Sequence, residues 1–263
     1  MKNLLIYVNP DRKFSEADGW ENEIERLAKV QIDNSLELGW DRGDILLVTN
    51  FDYEYNGVKA EMVGDEMFCS FSPTASKINV IIDLLERGRI GKDLWWFHDF
   101  DAFQLAPIVE DEIGLNGCDI GITDYGVSTM NPGRSLRWST GTIFFTESSL
   151  DIFKLWKREI EKYKANEEIA LLEMLKKGRY RAVKERIKKV NITYNLATRR
   201  RVVSESYKMA DKPLRVIHFH PYDKRPVEGE HDNMAVCVYG KNWMGRPLVT
   251  EQLARIFHEH GVK

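Results

Sequence analysis

Short apolar runs and longer helical stripes alternate along the first 145 residues, and this alternation sets the expected architecture. Leu4-Leu5-Ile6-Tyr7-Val8 is a continuous apolar run that breaks at Asn9-Pro10-Asp11, and Ile45-Leu46-Leu47-Val48-Thr49 repeats the pattern. Runs of this kind, short and without alternation, predict strands buried on both faces of a sheet. From Trp20 to Leu38 the apolar positions Ile24, Leu27, Ala28, Ile32 and Leu36 keep a helical period that Gly39 ends. Ser72-Pro73-Thr74 opens a second helix through Ile78, Ile81, Ile82 and Leu85, with Gly88 as its stop. Further strands are predicted at residues 68–71, 95–101, 119–123 and 139–145. Helices are predicted from Ser148 or Ser149 to Tyr163 and from Glu167 to Leu175.

Strands alternating with helices imply an α/β fold with a mainly parallel sheet and helices on both faces. The first half, residues 1–145, reads as a nucleotide-binding unit. Residues 146–263, more helical and basic, complete the site within the same domain, and no repeat or linker divides the chain. Hydrophobic residues at 43% and charged residues at 30% fit an ordinary globular protein. No apolar run reaches the roughly 20 residues that span a bilayer. The apolar run at the start is too short for a signal-peptide core, which predicts a cytoplasmic protein, bacterial or in a virus-infected host. Cys69, Cys118 and Cys237 are too widely spaced for a disulfide framework or a zinc knuckle, and buried thiols are expected.

The net charge of −3 hides an asymmetry. Residues 176–201 carry eleven Lys or Arg against Glu185 alone, which is +10 locally and leaves −13 elsewhere. The segment predicts either an anionic partner or a solvated face offset by neighbouring acidic surface.

The candidate chemistry begins where the apolar run Leu94-Trp95-Trp96-Phe97 meets His98-Asp99-Phe100-Asp101. In an extended backbone, side chains two residues apart point the same way, so Asp99 and Asp101 can converge on one hard divalent cation. The alternative is that one aspartate caps a turn and the other faces solvent. Downstream, Val216-Ile217-His218-Phe219-His220 delivers two histidines and then Lys224. One imidazole beside two carboxylates favours Mn²⁺ over Mg²⁺, and Lys224 can serve a phosphate as a point charge. The loop at residues 125–133, rich in Gly, Pro and Asn, leads to Arg134 and Arg137 and has the composition of a lid whose arginines fork onto phosphate. The loop Asn50-Phe51-Asp52-Tyr53-Glu54-Tyr55 offers aromatic faces and hydrogen bonds for a nucleobase, or simply packs.

In this order, the motifs resemble metal-dependent glycosyltransferases of the GT-A fold, most of all the retaining, glycogenin-like and galactosyltransferase-like group. Phe97-His98-Asp99-Phe100-Asp101 is similar to that group's DXD metal motif, and Ser139-Thr140-Gly141 to its Asn-Ser-Gly strand. Glu167-Glu168-Ile169-Ala170-Leu171 resembles its acidic helix start, and Asn191-Ile192-Thr193-Tyr194-Asn195 its Tyr-Asn turn. His218-Phe219-His220-Pro221-Tyr222-Asp223-Lys224 resembles its His-to-Lys segment, with Pro221 in place of a glycine and Arg225-Pro226 in place of Pro-Trp. Glu168 stands where the group commonly has an amide.

The resemblance implies a UDP-sugar or related nucleotide sugar as donor. Mn²⁺ or Mg²⁺ would be held by Asp99, Asp101 and His218, and the base would lie near Val8, Asn9 and Asn50. Lys224 with Arg134 or Arg137 would meet the diphosphate. Glu167 or Glu168 would stand near the anomeric carbon, as nucleophile or electrostatic support for a retaining transfer. The acceptor is left open between a glycan, a small molecule and a modified DNA base. The competing reading is a metal-dependent nucleotidyltransferase or nuclease, or a nucleic-acid-binding protein, using the basic segment at 176–201.

Overall fold

Strand β1 (Lys2–Tyr7) has parallel neighbours on both edges, β2 (Ile45–Thr49) and β6 (Trp95–His98), which is why its sequence is apolar on both faces. The structure, a computed structural model, describes residues 1–14, 24–124, 138–176, 178–197, 207–219 and 249–262. Beyond β2 the parallel strand β5 (Glu61–Met62) closes one edge of the sheet. On the other side, β9 (Trp138–Phe145) runs antiparallel to both β6 and β8 (Ile120–Asp124), and β10 (Ile187–Lys189) pairs parallel with β8. The order β10-β8-β9-β6-β1-β2-β5 is therefore a mostly parallel sheet with one reversed strand.

Alternate residues of the central strands feed two cores. Leu4, Leu46, Val48, Trp95 and Phe97 face α2 (Ser76–Glu86), α4 (Leu150–Tyr163) and α5 (Glu167–Lys176), whereas α3 (Glu110–Ile113) and α6 (Arg181–Lys184) are single turns. Leu5, Ile45 and Leu47 face Ile32 of α1 (Ile24–Glu37) on the opposite side. Each fully buried side chain of this size contributes about 1.5–3 kcal/mol, so the paired layers account for the sheet's position between helices.

A second, smaller sheet, β11 (Leu196–Ala197), β12 (Val216–His218) and β7 (Ala102–Gln104), stands beyond the carboxyl end of β6. Phe103, Ile217 and Phe219 join it to Leu253, Ile256 and Phe257 of α7 (Glu251–Glu259), which packs on α1. Among the described residues, no helix is long and apolar enough to cross a membrane.

Three expectations need correction. Residues 68–71 do not form a strand. They follow a short 3₁₀ turn (Asp65–Met67), and the sheet edge is taken by β5 instead. The loop predicted at residues 50–55 ends in a hairpin of β3 (Glu54–Tyr55) and β4 (Val58–Lys59). The strand predicted at residues 95–101 stops at His98: Asp99, Phe100 and Asp101 form a turn, closed by the Ala102 amide donating to the Asp99 carbonyl at 3.0 Å, and β7 begins at Ala102.

Candidate active site

The turn converges the two aspartates, although the extended-strand premise for them does not hold. Asp99 is anchored because its amide donates to the Gly141 carbonyl at 2.9 Å, extending the β6–β9 ladder by one bond. Asp101 is anchored through its carbonyl, which accepts from the Phe219 amide at 2.9 Å. That bond continues the antiparallel pairing of β7 with β12 and sets His218 beside Asp101. Phe100 turns the other way, its ring edge-on to Tyr7 with centroids 6.1 Å apart.

Ligand atoms of Asp99, Asp101 and His218 lie within 4.8 Å of one another, and the three can hold a metal ion. His218 Nε2 is 3.2 Å from Asp101 Oδ1, while Nδ1–H donates to Asn195 Oδ1 at 3.0 Å. Asn195 is itself fixed, its amide donating to Ser139 Oγ at 2.9 Å. This pairing assigns the proton to Nδ1 and turns Nε2 toward the carboxylates, the arrangement an imidazole ligand needs. Burial works against protonation of His218, but the Asp101 carboxylate holds its pKa above the ordinary value. Two carboxylates and an oriented imidazole form a donor set suited to Mn²⁺ or Mg²⁺.

His98, the other described histidine of these motifs, faces away from this cluster. It is buried, its Nδ1 2.9 Å from the Ala102 carbonyl oxygen and its Nε2 2.9 Å from Asn3 Oδ1, and its ring stacks on Trp96. Burial pushes its pKa down to about 4, so it is neutral. His220 lies outside the described residues, as do Arg134, Arg137, Lys224 and Cys237.

Sequence reading missed Lys77. Its ammonium, on the buried face of α2, sits 2.9 and 3.2 Å from the two oxygens of Asp99 and 3.3 Å from Glu167 Oε1. Burial alone would lower its pKa; the carboxylates of Asp99 and Glu167 hold it above the usual value instead. Glu167 is buried and fully engaged, accepting from Thr74 Oγ1 at 2.7 Å and from Thr140 Oγ1 at 2.9 Å. Glu168, half-buried, accepts from the Thr140 amide at 3.3 Å. The acidic start of α5 is thus tied through Lys77 to the Asp99–Asp101 turn. A lysine inside the apolar stripe Ile78, Ile81, Ile82, Leu85 was the available signal.

At the carboxyl ends of β1 and β2, Asn50 bridges the two strands. Its oxygen accepts from the Asn9 amide at 3.0 Å, and its NH₂ donates to the Asn9 carbonyl and to Asp65 Oδ1, both at 2.8 Å. Val8 is buried beside these residues. Phe51 and Tyr53 pack edge-on against Phe14, with Tyr7 stacked behind it. Phe51 and Tyr53 therefore fill a cluster, while the Tyr55 hydroxyl donates to Asp33 Oδ2 at 2.8 Å.

Among the described residues, four of the eleven basic residues in the 176–201 segment pair with carboxylates. Arg186 bonds Asp119 and Asp151, Arg181 pairs with Glu185, Lys176 with Glu173 and Lys189 with Asp124. Arg199, Arg200 and Arg201 lie outside the described residues.

Comparison with solved structures assigns the architecture to the GT-A fold of glycosyltransferases. A glycosyltransferase involved in glycosylation of the major capsid of PBCV-1 aligns over 84% of this chain and 95% of its own, with TM-score 0.52 and 11% identity. The galactosyltransferase LgtC, solved with donor and acceptor sugar analogues, aligns over 84% of this chain and 87% of its own, with TM-score 0.54 and 13% identity. The glycosyltransferase GlyE of Streptococcus pneumoniae TIGR4 covers all of this chain with 61% of its own, at TM-score 0.52 and 10% identity. At such identities the likeness is one of fold. No protein-family profile matches the sequence, and no curated protein matches it.

Proposed function

We propose that the protein is a metal-dependent glycosyltransferase moving a sugar from a nucleoside diphosphate sugar, UDP-sugar by resemblance, to an acceptor hydroxyl. The observation that carries this reading is the convergence of Asp99, Asp101 and His218 within 4.8 Å at the carboxyl end of the parallel strands of a GT-A fold. Ligands of open α/β sheets bind at that end. A divalent cation held by these three residues would supply positive charge against the diphosphate leaving group. In this reading Asn50 and Asn9 shape the base end of the donor site, and Lys224 with Arg134 or Arg137 meets the diphosphate. Lys77 orients Asp99 and Glu167 and favours their ionised forms, against burial that raises the Asp99 pKa. Between the two glutamates, Glu167 is held by Thr74, Thr140 and Lys77 and suits an orienting role. Glu168, less buried, suits the position beside the anomeric carbon in a retaining transfer. The nuclease and nucleic-acid-binding readings are less favoured, because the solved structures that share the fold are glycosyltransferases and Lys176, Arg181, Arg186 and Lys189 of the 176–201 segment pair with carboxylates.

The test is thermal stability of the purified protein against nucleoside diphosphates and their sugars, each with Mn²⁺ and with chelator. A ligand that binds only the folded state raises the midpoint by an amount that grows with its concentration relative to its dissociation constant. A Mn²⁺-dependent shift with one nucleotide, lost in Asp101→Ala, is expected. Stabilisation by duplex DNA and by no nucleotide would sink the proposal.

A further inference from the structure

A metal site of two carboxylates two residues apart requires that the turn between them hold one shape. Ladder bonds at Asp99 and Asp101 fix the ends of this turn on the side facing β9 and β12. On its buried side, the Phe100 and Ala102 carbonyls point into the space between the sheet and α1, where neither belongs to the central ladder. Gln31 meets both: its one NH₂ group donates to the Phe100 carbonyl and to the Ala102 carbonyl, each at 2.9 Å. The second lone pair of the Ala102 oxygen is taken by His98 Nδ1–H at 2.9 Å. Gln31 is 1% exposed; its bond to the Ala102 carbonyl is buried and its bond to the Phe100 carbonyl partly so.

The neighbouring positions on α1 show how local this grip is. Asn34, also 1% exposed, donates to the Gln104 carbonyl at 2.8 Å, past the turn, and Ser35 reaches Asn3 at 3.0 Å. Gln31 alone among them touches the turn. It stands one helical turn after Leu27 in the apolar stripe of α1, where a leucine would pack but would leave the Phe100 carbonyl without its donor and the Ala102 carbonyl with His98 alone. Because an amide NH₂ has two hydrogens at a fixed angle, bonding both carbonyls ties the peptide entering Asp101 to the peptide leaving Ala102. Asp101 is the ligand that also lies against His218.

We infer that Gln31 is a positioning residue for the divalent-cation site, setting Asp101 by holding the carbonyls on either side of it from beneath. The inference rests on the metal site proposed above. Its test is the Mn²⁺ dissociation constant of the full-length protein without nucleotide, measured from free Mn²⁺ by electron paramagnetic resonance at a temperature where circular dichroism shows each variant folded. Gln31→Met, close in volume and without donors, is expected to weaken Mn²⁺ binding at least tenfold, in the range of other residues that orient ligands. Gln31→Asn, which keeps the amide on a shorter arm, is expected to fall between Gln31→Met and the wild type and serves if the methionine variant does not fold. Asn34→Leu, which removes a buried bond from the same helix face without touching the turn, is expected to lower stability and leave the dissociation constant within twofold. Wild-type Mn²⁺ affinity in a folded Gln31→Met or Gln31→Asn protein would overturn the inference and leave the metal site standing. Absence of Mn²⁺ binding by the wild type would overturn the metal site and this inference with it.

Discussion

The imidazole of His218 occupies the space that a side chain at Gly141 would need. A Cβ at position 141 would stand 2.2 Å from Cε1 and 2.5 Å from Nδ1 of His218. Gly141 lies within β9, where a glycine has no strand-forming advantage, so its value here is the close approach it allows. Gly141→Ala is expected to keep the fold and push His218 off the Asp99–Asp101 pair, weakening divalent-cation binding tenfold or more. Calorimetric titration with Mn²⁺ checks this, and an unchanged affinity would show that His218 is not a ligand.

Asn195 holds the same imidazole from its other nitrogen. Asn195→Leu removes the acceptor that keeps the proton on Nδ1, and a 10- to 100-fold loss of metal affinity is expected. Asn195→Asp retains an acceptor and should lose much less. Equal losses in the two variants would argue that packing, rather than the hydrogen bond, is what matters.

Lys77 is the shared counter-ion of Asp99 and Glu167. Truncating one member of a buried ion network leaves uncompensated charge, and Lys77→Met is expected to cost about 3 kcal/mol of stability. Urea unfolding at pH 7 measures this directly. A variant as stable as the wild type would mean the buried charges are solvated and the network contributes little.

His98 gives the stability a pH dependence of known sign. Folded, its pKa is about 4; unfolded, it titrates near its ordinary value of 6.5. Between these values the unfolded chain binds the extra proton, so stability from this group is full above pH 6.5 and is lost as pH falls toward 4. The total is about 3 kcal/mol at 1.36 kcal/mol per unit. Urea midpoints at pH 7, 6 and 5 should decline in the wild type, and the slope should flatten in His98→Gln. Parallel slopes would assign the acid sensitivity to other groups.

Much of the frame was legible because apolar runs and helical stripes are local signals. Residues 45–49 and the stripe Ile78, Ile81, Ile82, Leu85 correspond directly to β2 and α2. The edge was misjudged at residues 68–71, because a pair of residues at β5 suffices to close a sheet and carries no periodicity of its own. The candidate ligands Asp99, Asp101 and His218 were readable from residue type, since carboxylates and a histidine after apolar runs are uncommon in a core.

What the sequence by itself determined is the central strands β1, β2, β6, β8 and β9 with their apolar character, and which residue types stand at their ends as candidate ligands. Tertiary structure decided how those residues meet. Asp99 and Asp101 converge through a turn rather than along a strand, held by Gly141, Phe219 and Gln31 from three separate elements. Lys77 and Asn195 take their roles only because α2 and the segment before β11 are brought against β6 and β12. Hydrogen bonds and ion pairs of this kind link residues far apart in the chain, and their geometry depends on packing that no local pattern encodes.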